Sequence, residues 1–145
     1  MTTNTTSTAQ SAQGTTIAID MGTSGTPDFT VIPNISEVSG FDGKATEIDT
    51  TTLSSTAKER LLGLQDWGTA TLTTQINLKE ATHAALLAAK KSSKLANFTV
   101  TLSDGSTLVF AAYVAAFPIS AKVDTVYTGS ISLTITGDIT VTVGT

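Results

Sequence analysis

Cysteine is absent from this chain, which excludes disulfides, thiolate catalysis, zinc ribbons and iron–sulfur clusters together. Histidine occurs once, at His83, so a metal site would need an all-oxygen ligand set. The acids are scattered singly apart from Glu47 and Asp49, with no calcium-loop spacing. One Trp and two Tyr leave little with which to rim a sugar cleft, so carboxylates such as Asp42, Glu47 and Asp49 do not read as a glycosidase pair. Charge is sparse too: 14% of residues, against roughly 25% in an average soluble domain. Eight Lys+Arg against twelve Asp+Glu give a net charge of −4, a poor balance for gripping phosphates. No run of apolar residues is long enough to span a membrane. Met1–Gln13 is neither basic nor apolar, so no secretory or lipidation signal is expected, and the protein is expected to be made in the cytoplasm and to stay soluble.

What is present is threonine. The chain carries 30 Thr and 14 Ser among 145 residues, and threonine is a β-branched strand former. The composition predicts a mainly β domain with polar faces. At this length one domain is expected, able to remove about 68–70% of its unfolded surface from water.

Met1–Gln13 has no large apolar residue except the initiator and reads as a flexible arm preceding a single domain over 14–145. Ile17, Ile19 and Met21 alternate with smaller neighbours, the run Gly22–Gly25 supplies a turn, and Phe29–Val38 completes a predicted hairpin. A long polar stretch over 39–66 follows, in which Ala45–Thr52 is strand-like but nearly without apolar residues. Leu53, Leu61, Leu62 and Leu64 lead to Trp67, with one helical turn expected from Thr56. Idle segments of this length are uncommon in compact domains, so a docking role is expected.

Thr69–Leu78 alternates cleanly, placing Ala70, Leu72, Thr74, Ile76 and Leu78 on one face. Asn77 and Glu80 have capping-box spacing, predicting a helix over Lys79–Lys91. A stripe of Ala81, Ala84, Ala85 and Ala88 is expected to face the sheet, with His83 and the lysines solvated on the other side. Asn97–Leu102 and Thr107–Phe117 form a hairpin about Asp104–Gly105, where a primed turn is expected. The second of these strands is apolar on both sides and is predicted to be covered on both. Tyr127–Thr136 and Ile139–Val143 are separated by a hairpin or kink at Gly137–Asp138.

No constellation carries catalysis. His83 sits beside lysines with no nucleophile pattern, and Gly22–Gly25 lacks the Lys and helix of a phosphate loop. Lys79, Lys90, Lys91 and Lys94 lack interleaved aromatics and read as a solvated face rather than a nucleic-acid patch. Asn4, Asn34 and Asn97 lie in glycosylation sequons, which chance supplies in so hydroxyl-rich a chain. Residues 1–40 carry −3, 41–94 carry +1 and 95–145 carry −2, a distribution that favours self-association.

The order of segments resembles the major tail tube protein of long-tailed bacteriophages. These segments are a mobile N-terminus, a hairpin, the excursion GFDGKATEIDTTTLSS ending in KERLLGLQDWGTATLTTQIN, one Ala-rich helix and four strands. The resemblance runs from about Thr15 and is strongest at Thr46–Leu53, at the Gly-Leu-Gln-Asp-Trp-Gly run over 63–68 and at the position of the helix. It implies a β-sandwich or small barrel of antiparallel strands with one flanking helix, similar to the tube protein of type VI secretion. It further implies six copies per ring, rings stacked into a hollow tube in the virion tail, and no enzyme activity or cofactor. The implied partners are other copies of the chain, a tape measure protein in the lumen, tail terminator and distal tail proteins, and DNA in unspecific transit, with no membrane insertion. An acidic lumen would repel phosphates and let DNA slide, where a basic one would hold it. No C-terminal immunoglobulin-like domain is expected after the last strand.

Contacts between subunits are expected from Phe41, Asp42, Lys44, Glu47, Ile48, Asp49, Leu53, Leu61, Leu62, Leu64 and Trp67, because an excursion that finds its partner on a neighbour makes a head-to-tail, non-closing contact. The alternative reading is a carbohydrate-binding or adhesive β-sandwich module, which the Ser/Thr surface suits but which would need an aromatic platform.

Overall fold

Alternation with a period of two builds the architecture seen in the computed structural model, which describes residues 7–22 and 25–144. The strands are β1 (Thr16–Asp20), β2 (Phe29–Val31), β3 (Ile35–Gly40), β4 (Glu47–Asp49), β5 (Arg60–Leu62) and β6 (Thr69–Gln75). After the helix α1 (Ala81–Ser92) come β7 (Ala96–Thr101), β8 (Thr107–Ala116) and β9 (Thr128–Thr142). Seven of these make one antiparallel sheet in the order β2-β1-β7-β8-β9-β6-β3, and β4 pairs with β5 in a separate two-stranded sheet.

β6, β7, β8 and the first half of β9 turn alternate apolar residues to one side. Ile17, Ile19, Leu72, Phe98, Val100, Phe110, Ile131 and Leu133 are essentially inaccessible to solvent and belong to one continuous cluster. Phe98 stacks on Phe110 with ring centroids 5.7 Å apart. The sheet therefore wraps its own core. The helix adds Leu86 to that cluster and packs chiefly on β8.

Several expectations are corrected. The run Phe29–Val38 is not one strand, because Pro33 interrupts it and Asn34 adopts φ 65°, sending β2 and β3 to opposite edges of the sheet. The two strand runs near the C-terminus are one strand, β9, so three strands follow the helix rather than four. Gly137, at φ 79°, absorbs a bulge there: β8 advances from Val109 to Ala111 while its partners on β9 move from Thr140 to Thr136. At Asp104–Gly105 only Gly105 has positive φ, and its N–H bonds to Leu102 O at 3.0 Å. A primed turn centred on Asp104–Gly105 would require positive φ at its first central position, Asp104, in type I′ and type II′ alike. The outer side of β8 is uncovered, with Tyr113 exposed.

The helix differs most. Glu80 occupies the N-cap position without a side-chain cap bond. Asn77 Oδ1 instead accepts from Lys79 N–H at 3.1 Å, closing a turn ahead of the helix. The buried side is Thr82, His83 and Leu86, whereas Ala81, Ala84 and Ala88 are exposed. His83 is 0% exposed: Nδ1 accepts from Asn77 N–H at 3.0 Å and Nε2 lies 2.9 Å from Pro33 O. This pattern assigns the neutral ring with its proton on Nε2. A solvated histidine was expected; the ring instead pins the helix to two loops whose backbone groups need partners.

Candidate functional site

The excursion between β3 and β6 leaves the sheet through a narrow root. Phe41 N–H donates to Thr69 O at 2.9 Å and Gly43 N–H to Trp67 O at 3.3 Å. The outgoing and returning legs come so close that a Cβ on Gly43 would lie 2.2 Å from Asp66 O and 2.4 Å from Gly68 N, so only glycine fits. Gly68 itself sits at φ 72°, with Asp66 Oδ1 accepting from its N–H at 2.8 Å.

Two aromatic residues anchor the root to the domain. The Phe41 ring meets Phe110 edge-on, centroids 5.3 Å apart. Trp67 packs against the core cluster, and its Nε1–H donates to Asp138 Oδ1 at 2.9 Å.

Beyond the root, Glu47, Ile48 and Asp49 pair with Leu62, Leu61 and Arg60. The strand-like segment thus finds its partner within its own chain, where a neighbour's edge was expected. Thr56 begins a bend rather than a helical turn. The tip is closed by hydroxyls: Glu59 N–H donates to Thr51 Oγ1 at 2.9 Å, and Ser55 O–H donates to Glu59 Oε2 at 2.7 Å. The Thr51 hydroxyl and amide, with a smaller contribution from Lys58, hold the Asp49 carboxyl below its ordinary range. Lys58–Asp49 at 3.6 Å and Arg60–Glu47 at 3.5 Å are solvent-exposed ion pairs, which contribute little to stability.

This hairpin has no core of its own. Leu53 and Leu64 are fully or almost fully exposed at 108% and 93%, and Ile48, Leu61 and Leu62 are also largely exposed. An isolated two-stranded hairpin is marginal in water, and exposed apolar groups concentrated on one projection mark an interaction surface. Of the expected contact residues, Asp42, Lys44, Glu47, Ile48, Asp49, Leu53, Leu61, Leu62 and Leu64 lie exposed on the excursion. Phe41 and Trp67 are drawn into their own subunit.

Asp138 escaped the sequence reading, since nothing local links it to Trp67, 71 residues away. The root had a legible signal in the glycines at 40, 43, 63 and 68 that bracket the excursion.

Elsewhere, Asp20 Oδ1 accepts from Asp28 N–H at 2.8 Å and Gly22 N–H at 2.9 Å. These amides, Asp28 first, hold its carboxyl below the ordinary range. The expected turn at Gly22–Gly25 contains Thr23 and Ser24, which lie outside the described residues. Of the expected arm, Met1–Thr6 lie outside them too; residues 7–13 are exposed and form no strand, and Ser11 O accepts from the Ser103 hydroxyl. Lys79, Lys90, Lys91 and Lys94 are all exposed. Among the described residues no group of three or more His, Asp or Glu could hold a metal ion, and no helix is long and apolar enough to cross a membrane.

A β subunit that encloses its own core, yet holds an unburied leucine-bearing hairpin away from it, is built for assembly into a larger structure. The chain belongs to the phage tail tube family: the family model described as "Phage tail tube, TTP, lambda-like" matches residues 8–108. It is 28% identical over 137 residues to structural protein 3 of Pseudomonas phage PAJU2, covering 77% of this chain and 84% of the relative. In fold it is similar to a chain of the virion of a native gene transfer agent particle, with TM-score 0.76 and 15% identity over 92% of this chain and 99% of that one. It also resembles the SPP1 tail tube, with TM-score 0.71 and 15% identity over 89% of this chain and 76% of that one. The protein is a structural component of the virion tail, a tube subunit.

Proposed function

We propose that the chain forms six-membered rings that stack into the hollow tube through which DNA leaves the particle. In this reading the excursion over 39–66 is the connector. Its exposed residues, from Asp42 to Leu64, bind the neighbouring copy, while Phe41 and Trp67 brace its root. The observation that carries the reading is the hairpin that leaves Leu53 and Leu64 almost fully exposed and Leu61 and Leu62 largely so. A gene transfer agent tail refined with C6 symmetry supports the six-fold count by its similar fold, at TM-score 0.74 and 12% identity over 92% of this chain and 99% of that one. The N-terminal arm strengthens stacking. A tape measure protein occupies the lumen during assembly, and terminator and distal tail proteins close the two ends.

The test is the double substitution Leu53→Ser and Leu64→Ser. Both side chains are exposed, so thermal unfolding of the subunit should change by no more than about 0.5 kcal/mol, while electron microscopy should find rings and filaments lost. Normal tubes from this variant would remove the excursion from the role of connector.

A further inference from the structure

The turn that carries Leu53 is closed on itself. Ser55 N–H donates to Thr52 O and Thr52 N–H donates to Ser55 Oγ, each at 3.0 Å, so Leu53 stands at a fixed apex with its side chain wholly exposed. Beyond the far end of β6 the chain forms the reverse shape. Ile76, Asn77, Leu78, Ile119 and Tyr127 line an open, mainly apolar cavity of about 310 Å³. Backbone bonds hold its walls. Ile76 N–H donates to Tyr127 O at 2.8 Å, Asn77 N–H donates to His83 Nδ1 at 3.0 Å, and Ser120 exchanges bonds with Thr128 at 2.8 and 3.1 Å. Pro118 approaches Gly129 so closely that a Cβ there would overlap Pro118 O. The loop over 117–127 is thereby pinned to the start of β9, yet Leu78, Ile119 and Tyr127 stay exposed.

We propose that this cavity is the socket for the Leu53 apex of a second copy, so that each subunit carries a knob beyond one end of β6 and a socket beyond the other. The inference rests on the connector reading above and names the surface that receives the connector. Three observations favour this occupant. First, the excursion returns at Thr69, where β6 begins, and the socket starts at Ile76, one residue past its end. At roughly 3.3 Å per residue the strand holds the two about 20 Å apart. Complementary surfaces at opposite ends of a strand make a heterologous contact that repeats without closing, as a stack of rings requires. Second, both surfaces are formed before they meet, which keeps the cost of ordering low. Third, the charges agree. Glu59, which accepts from the Ser55 hydroxyl beside the apex, is in no ion pair among the described residues. Lys79 and Lys122 flank the socket, with Glu80 and Asp124 next to them, and either lysine offers Glu59 a counter-ion. Other surfaces suit a leucine less. The outward side of β6 and β9 carries Thr71, Thr73, Ser130 and Thr134, and the cavities beside Asp20 and beside Glu37 are edged by carboxylates. One leucine in a cavity of this size buries far less than the roughly 800 Å² per partner of a stable pair. The contact therefore joins rings rather than isolated subunits, because copies already held side by side present it together at high effective concentration.

The absence of cysteine from the native chain permits a direct test. Tubes of the double variant Leu53→Cys with Ile119→Cys, oxidised with diamide and run on a denaturing gel, should give a ladder extending beyond six subunits, since each disulfide joins one ring to the next. Tubes of Leu53→Cys with Lys94→Cys should give no ladder. A ladder that stopped at six would place the contact between neighbours within one ring and overturn the head-to-tail assignment. Well-formed tubes of the first variant without any cross-link would overturn the proposal outright. As a second measurement, Ile119→Glu should leave thermal unfolding of the free subunit unchanged and abolish filaments in electron microscopy, because an unpaired carboxylate would enter an apolar hollow. Normal filaments from Ile119→Glu would show that nothing docks there. Failure of the unsubstituted chain to form rings would instead overturn the ring reading, and the socket with it.

Discussion

Trp67 Nε1–H donates to Asp138 Oδ1 at 2.9 Å across 71 residues of chain, joining the returning leg of the excursion to the kink in β9. The same carboxylate oxygen accepts from Ile139 N–H at 2.8 Å. One side chain therefore fixes both the bulge that bends the longest strand and the angle at which the hairpin leaves the sheet. Trp67→Phe keeps most of the packing and removes the bond. It should cost roughly 0.5–1.5 kcal/mol in thermal unfolding and should reduce tube yield more than that loss of stability explains, as measured by sedimentation.

Gly43 offers a sharper test of the root. Because a Cβ there would overlap the backbone of Asp66 and Gly68, Gly43→Val must push the two legs apart. The sheet should still fold, with the amide spectrum of β7 and β8 unchanged, while signals from 44–66 shift and filaments fail to form. A variant that assembled normally would show that the crossing of the legs does not set the connector's geometry.

His83→Leu conserves volume approximately but leaves Asn77 N–H and Pro33 O without their partner. A loss of roughly 2–6 kcal/mol is expected from chemical denaturation, since two part-buried backbone groups lose their bonds at about 1–3 kcal/mol each. A change under about 0.5 kcal/mol would show that the loops find other partners.

Thr74 and Thr82 give the opposite sign. Each hydroxyl is buried without a hydrogen-bond partner among the described residues, so Thr74→Val exchanges an unsatisfied oxygen for a methyl of similar shape. Stability should be unchanged or should rise by up to about 1 kcal/mol, read from the denaturation midpoint.

Acid sensitivity follows from Asp20, Asp49 and Asp104, whose carboxyls are all held below the ordinary carboxylate range by hydrogen bonds. For Asp104 the leading cause is the Ser106 amide. A carboxyl that is more acidic when folded stabilises the fold above its unfolded value, and that contribution disappears as pH falls through the lower folded value. Melting temperature should therefore be insensitive to these groups between pH 7 and about 5 and decline below about 4. Asp20→Asn should flatten part of the decline; an identical profile for that variant would remove Asp20 from the account.

The sequence was most legible where a local pattern and the tertiary environment agreed. β6 was readable residue by residue because Ala70, Leu72, Thr74 and Ile76 alternate with polar neighbours and one side is buried. The helix was locatable but its orientation was not. With alanine on nearly every side, the stripe through Ala81 and Ala88 and the one through Thr82, His83 and Leu86 differ little in hydrophobicity. Contact with Pro33 and with the core chose between them. The division of Phe29–Val38 was equally obscure, since Pro33 and Asn34 can bend a strand or end it, and only pairing with β1 or β6 distinguishes the two. Within the candidate site, the excursion's extent and its unburied leucines were visible in the composition. The pairing of β4 with β5 and the anchoring of Phe41 and Trp67 were not.

By itself the sequence determined a β domain without disulfides, one helix after β6, and a polar excursion too poor in apolar residues to build a core. These properties depend on composition and on spacing along the chain. The tertiary structure alone decided which strands became edges, that the histidine is internal, and that the serine and threonine side chains of β6 and β9 form one almost uncharged face. Those outcomes depend on which distant residues lie opposite one another, and register across a sheet is set by burial of the whole core rather than by neighbours in sequence.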